Sequence, residues 1–149
     1  MRDSEQISIV KKFIEAVNEH DVDKMAALMD MDFLFIDSQG EEFKGIEDKC
    51  RIWNEYFRYI PDYKITVEEM VESENSIVIL GTAEGTYCPG KEILDENRWK
   101  IPAAWKAVVA GSKLAYWQVF ADNSGVLRIV KRYPGKGFRR QHSIYPRSE

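Results

Sequence analysis

Two carboxylates in this chain stand where acid–base chemistry could use them. Asp37 closes an alternation in which Phe33, Phe35 and Asp37 share one face of a short strand. Apolar neighbours desolvate a carboxylate and raise its pKa, which suits a general base at the mouth of a pocket. An exposed strand-end aspartate, capping the turn Ser38-Gln39-Gly40 through its side chain, fits the same residues. Glu84 lies in the middle of a longer strand and faces either water or the interior. Burying it unpaired costs on the order of several kcal/mol. Inside, it is the natural partner of Asp37, because two carboxylates in one apolar site push their pKa values apart. The aromatic residues Trp53, Tyr56, Trp105 and Trp117, with Phe35 on the strand of Asp37, are the candidates to border a ligand. Among them Trp53 leans toward packing with Phe57, and Tyr56, Trp105 and Trp117 toward the hollow.

Other chemistries find little to work with. His20 and His142 are too few and too far apart for a histidine metal site, and no cofactor motif is present. Cys50 falls on the apolar stripe of a helix and Cys88 near a strand end, where it is the more exposed of the two. Neither has a basic cluster nearby to make it a nucleophile. A net charge of −4 argues against general nucleic-acid binding. The absence of CxxC spacing, signal peptide and long apolar run leads to the expectation of a reduced, cytoplasmic protein with no membrane partner.

The elements that must position these residues follow from periodicity. A chain of 149 residues is long enough for one core. Residues 3–19 repeat apolar positions at three- and four-residue spacing, as do residues 22–29 after Asp21, and residues 45–60 up to Pro61. The period then changes to two. Strands are expected at residues 33–37, 63–71, 76–87 and 126–133, and in a long hairpin over residues 99–123. Residues 1–133 make one domain, and 134–149 a basic, loosely ordered tail with Lys136, Arg139, Arg140 and Arg147.

The hairpin carries Trp99, Trp105 and Trp117 around the turn Ala110-Gly111-Ser112. A three-residue loop pairs Trp105 with Trp117 and Ala103 with Val119. A two-residue loop pairs Lys106 with Trp117 and swaps the faces. The first is preferred, since it leaves Lys106 in water beside Tyr116. Its inner face then sets Trp105 and Trp117 beside Ala103, Ala107 and Ala115. Such a face either receives a helix or leaves a hollow. The fold class is α+β: a cone-shaped α+β barrel, with three N-terminal helices packed on a strongly curved, mostly antiparallel sheet of the cystatin-like kind.

Several stretches carry a resemblance. They are Phe13-Ile14-Glu15-Ala16-Val17-Asn18-Glu19-His20-Asp21, Met25-Ala26-Ala27-Leu28-Met29, Asp37, Gly45 opening a helix, and Trp117-Gln118-Val119-Phe120-Ala121-Asp122. Together they resemble the nuclear transport factor 2-like superfamily, and within it the SnoaL-like group that neighbours ketosteroid isomerases and limonene-epoxide hydrolases. The resemblance implies a mostly apolar pocket, often within a dimer, in a superfamily of enzymes, binding modules and scaffolds. It places Asp37 at the isomerase base. It puts Phe13 where the isomerases carry a tyrosine donor, and Trp117 where they carry a protonated aspartate. The epoxide-hydrolase relay falls at Glu84, Thr82 and Val119, of which only Glu84 is an acid. Phe13 and Val119 thereby join the expected ligand-binding residues.

Two functions are compatible with these residues. One is a cofactor-free isomerase, cyclase or lyase acting on a small apolar carbonyl compound through Asp37. The other is a non-catalytic ligand-binding or dimerising module. A homodimer is expected through the outer sheet face, with Lys106, Tyr116, Gln118 and Val130 contributing.

Overall fold

The computed structural model describes residues 3–134, and the basic tail lies outside the described residues. Helix α1 (Glu5–Asn18) starts at Ser4, whose hydroxyl accepts the Ile7 N–H at 3.1 Å. Helix α2 (Val22–Leu28) starts at Asp21 in the same way, and helix α3 (Ile46–Tyr59) follows Gly45. Between them lie strand β1 (Met29–Ile36) and the short strand β2 (Glu42–Lys44), which the sequence pattern does not announce. Strands β3 (Lys64–Glu72), β4 (Ile77–Thr86), β5 (Arg98–Ala110) and β6 (Lys113–Ala121) form the meander. These six strands make one open sheet in the order β2-β1-β6-β5-β4-β3, antiparallel except where β1 meets β6. The result is an α+β cone with the helices on the concave side.

The segment expected as a last strand is a fourth helix, α4 (Ser124–Val130). The reason is topological. Strand β6 already has β5 on one side and β1 on the other, so it leaves no edge for residues 126–133 to join. Val126, Ile129 and Val130 instead bury one side of a helical turn. Val130 is therefore in the core, not on the outer face of the sheet.

The hairpin register also differs from both expectations. Ala110 pairs with Lys113 around a two-residue turn, in which Gly111 takes φ +62°. The ladder then slips. Val109 pairs with Leu114 and Val108 with Tyr116, so Ala115 is an extra, bulged residue. Beyond the bulge Ala107 faces Trp117, Trp105 faces Val119 and Ala103 faces Ala121. Bulging lets both Leu114 and Trp117 point inward, each fully buried, while Lys106 stays outside with its Nζ 5.6 Å from the centre of the Tyr116 ring. A second slip leaves Glu68 extra in β3, opposite Gly81. A Cβ at Gly81 would lie 2.0 Å from the Thr66 carbonyl oxygen, so only glycine permits this close approach.

One end of the concave face is filled solid. Trp117 lies 4.9 Å from Phe13 and 6.3 Å from Trp105 (ring centroids), and Phe13 meets Phe33 at 6.3 Å. Replacing Trp117 with alanine removes this plug and should lower stability by about 3–5 kcal/mol in urea unfolding. A loss below ~1 kcal/mol would show that the plug carries no packing energy.

Candidate functional site

Toward the other end of the same face the cross-strand neighbours become small. Ala83 faces Ile101, and Ala103 faces Ala121. No large side chain fills the space above them, and a cavity of about 50 Å³ remains. Its walls are an arc of rings in successive contact. Phe35 meets Trp53 at 5.5 Å, Trp53 meets Tyr56 at 5.9 Å, Tyr56 meets Tyr63 at 5.1 Å, and Tyr63 meets Trp99 at 6.2 Å. Val119, Ile52 and Asn123 complete the lining. No carboxylate, histidine, lysine, arginine or cysteine belongs to it among the described residues.

Local hydrogen bonds explain why the arc holds its shape. The Asn18 side chain takes both the N–H and the C=O of Ile65, at 2.8 and 2.9 Å, acting as a surrogate strand along the free edge of β3. His20, in the left-handed region at φ +57°, stacks on Phe57 at 4.2 Å and reaches the Tyr63 carbonyl at 2.8 Å. A carbonyl only accepts, so His20 Nε2 carries the hydrogen. Asp62 accepts from the N–H and the hydroxyl of Thr86, both at 2.7 Å. Tyr63 is thus clamped from both sides. At the far rim Asn123 donates to the Ser38 hydroxyl at 2.7 Å, which ties the end of β6 to the end of β1. Under β1, the fully buried Lys49 donates to the carbonyls of Phe33 and Gly45, both at 3.1 Å. No three His, Cys, Asp or Glu side chains converge to hold a metal among the described residues.

The sequence profile of the SnoaL-like domain matches residues 10–125. The chain belongs to the SnoaL-like domain family. Solved structures agree on the fold. A candidate SnoaL-like polyketide cyclase from Jannaschia sp. CCS1 is 16% identical, covering 90% of this chain and 99% of that one, with a TM-score of 0.75. A protein with a ketosteroid isomerase-like fold from Catenulispora acidiphila DSM 44928, solved with trimethylamine, is also 16% identical. It covers 80% of this chain and 89% of that one at a TM-score of 0.69. TerC, co-crystallised with polyporic acid, is 12% identical over 86% and 99% at a TM-score of 0.73. Comparison with curated protein sequences gave no significant match.

Within this SnoaL-like domain the expected site residues divide. Phe35, Trp53, Tyr56 and Val119 line the cavity. Phe13, Trp105 and Trp117 do not. They form the solid plug, because the bulged register sets Trp117 over Ala107 rather than over the hollow. Asp37 is buried, and its Oδ1 accepts the N–H groups of Gln39 at 2.9 Å and Glu41 at 3.0 Å. That is turn-capping geometry, two residues beyond Phe35 and not in the lining. Glu84 lies on the outer face, where alternation with inward-facing Ala83 and Gly85 puts it. There it pairs with Arg98 at 3.4 Å and Lys100 at 3.6 Å, so it does not share an apolar site with Asp37. Cys88 is buried with its Sγ against the carbonyls of Gly90 and Glu92, while Cys50 is the more open one.

Tyr63, Trp99 and Asn123 belong to the site without having been singled out by type or spacing. A signal existed for Trp99. It is an odd-numbered residue of β5, so it shares the inward face with Ala103 and Trp105.

The two tyrosines keep their protons. Burial pushes both phenols well above the ordinary value, and the adjacent Tyr63 pushes Tyr56 further. An unfolded tyrosine ionises near pH 10. The unfolded chain therefore releases protons first, and stability that is intact below about pH 10 declines as pH rises above it. In Tyr63→Phe the fall in urea midpoint between about pH 10 and 12 should be shallower than in the parent. Identical slopes would mean that the Tyr63 hydroxyl already sits in water.

Proposed function

We propose that this SnoaL-like domain binds a small, mainly apolar molecule in the aromatic cavity, as a binding module rather than an aspartate-base enzyme. The observation that carries this reading is the lining itself: rings, alanines and neutral donors, with no side chain that exchanges a proton near neutral pH. The small molecules held by two neighbours of the same fold, trimethylamine and polyporic acid, accord with it. At about 50 Å³ the enclosed space is well below the ~150 Å³ of an engineered hollow that admits benzene. A ligand inserts one edge there, and its remainder lies at the open mouth.

Toluene should quench tryptophan fluorescence and raise the melting temperature by mass action. Ala103→Leu, which fills the floor of the cavity, should abolish both effects while the protein stays folded. Unchanged quenching in that variant would place the ligand elsewhere.

One observation favours the catalytic alternative: Asp37 is buried at the end of the strand that supplies Phe35. Asp37→Asn separates the two readings. In a binding module, toluene affinity is preserved and no turnover exists to lose. If an apolar ketone is isomerised or cyclised and the variant slows that reaction ~10²-fold, the aspartate is the base and the binding reading falls.

The outer sheet face supports a homodimer. Leu80, Ala104 and Phe120 stand in one cross-strand row, with Leu80 and Phe120 39% and 49% exposed. A symmetric contact there would bury roughly 1,200–2,000 Å² in total. Sedimentation should give twice the chain mass of 17.3 kDa, and Phe120→Glu should return it to the monomer value. A monomeric parent at micromolar concentration contradicts this assembly.

A further inference from the structure

Strand β3 is an edge of the sheet, with β4 on one side and no strand on the other. Helix α1 runs beside it and is tied to it at two points. The Asn18 side chain holds both backbone groups of Ile65, and the Ser4 hydroxyl donates to the Glu72 carboxylate at 2.8 Å. Between the ties lies a groove. Ile7 and Ile14 of α1 and Val67 and Met70 of β3 give it an apolar floor, open to water at Val67, which is 37% exposed. On its walls the carboxylates of Glu15, Glu68 and Glu69 make no ion pair or hydrogen bond among the described residues, whereas Asp3 is matched by Lys11. The backbone is open as well. Both groups of Ile65 face away from β4, so alternation along an antiparallel pair turns those of Val67 away too. Met70, opposite Ile79 beyond the bulged Glu68, resumes that phase. An edge exposed in this way is a template for another extended segment.

Charge selects the occupant. A second copy of β3 laid against this edge would bring Glu68 and Glu69 against the same carboxylates, which is repulsive. The chain itself carries the complement. Residues 135–149 include Lys136, Arg139, Arg140 and Arg147 against the one acidic side chain of Glu149, with Phe138, Ile144 and Tyr145 among them. They leave the described chain at the end of the sheet where β3 begins. There Tyr133 packs on Tyr87 at 5.6 Å, one residue beyond Thr86, which Asp62 holds just ahead of β3. Following β3 from Lys64 to Met70 takes about 20 Å at ~3.3 Å per residue. A segment of fifteen residues extends to roughly 50 Å. Tethering also lowers the affinity required, because the effective concentration is on the order of millimolar. We propose that the groove between α1 and β3 is the docking site of the chain's own C-terminal segment, residues 135–149, with its cations on Glu15, Glu68 and Glu69 and its backbone along Val67 and Met70. The site stands apart from the aromatic cavity and needs no ligand there.

Amide hydrogen exchange of the full chain tests the docking. In the parent, the amides of Val67 and Met70 should be protected at least ~10-fold more than in Arg139→Glu/Arg140→Glu. Glu68→Lys/Glu69→Lys should lose the same protection. Combining the two pairs of substitutions should restore it, because the charges are then exchanged and not removed. Lys44→Glu, a charge reversal on the opposite edge strand, should change nothing. About 1 M salt should release the segment in the parent. The arginine variants leave every residue of the folded domain as it is, so that comparison survives if Glu68→Lys/Glu69→Lys fails to fold. Equal protection in the parent and in Arg139→Glu/Arg140→Glu overturns the proposal, as does a folded combined variant that stays unprotected. Protection that rises with protein concentration assigns the groove to a second copy and also overturns it. So does exchange that is fast in the parent and slows only when a separate alternating Lys-Val peptide is added, which would make this edge a site for another protein.

Discussion

Trp117 packs between Phe13 of α1 and Trp105 of β5, and this contact decides how deeply the helices sit in the curved sheet. Rings of this size cannot be compressed, so α1 rests on them at a set height above the sheet. Farther along the same face the residues are Ala83, Ala103 and Ala121, which are too short to reach that height. The hollow follows from that difference in side-chain length. It is a consequence of what fills the neighbouring space, and α3 roofs it with Ile52, Trp53 and Tyr56.

Two backbone irregularities shape the sheet around this contact. The bulge at Ala115 brings Trp117 opposite Ala107, where one large ring fits over one small side chain. The slip opposite Gly81 lets β3 approach β4 closely. Side-chain clamps then do locally what a further strand would do. Asn18 and His20 cover the polar edge at Tyr63 and Ile65, and Lys49 satisfies the Phe33 carbonyl from beneath. The cavity wall is therefore held by hydrogen bonds to the backbone at and beside its lining residues, and a ligand would meet an arc already in place.

Much of the fold is legible in the sequence because the responsible signals are local. The apolar spacing of the first three helices, Asp21 ahead of the second and the change of period after Pro61 all act within a few residues. The SnoaL-like resemblance is legible for the same reason. The register of the hairpin is not, because Ala115 becomes a bulge only through what Leu114 and Trp117 find across the core. Helix α4 is hidden by a short apolar run that suits either period, and only the occupied edges of β6 decide it. The site inherits both difficulties. Phe35, Trp53, Tyr56 and Val119 are found by residue type and face, whereas Trp105 and Trp117 go to the plug through the bulged register. Glu84 shows that a mid-strand carboxylate cannot be placed until its neighbours are, and Arg98 and Lys100 account for it on the outer face.

The central claim is that this sheet is filled at its tryptophan end and open at its alanine end. Electron density from crystals of the freshly purified protein, grown without added ligand, tests it most directly. Density bounded by Phe35, Trp53, Tyr63 and Trp99 over Ala103, from ordered water or a carried-over small molecule, is the predicted result. Rings collapsed onto Ala103 and Ala121 with no space between them would contradict the account.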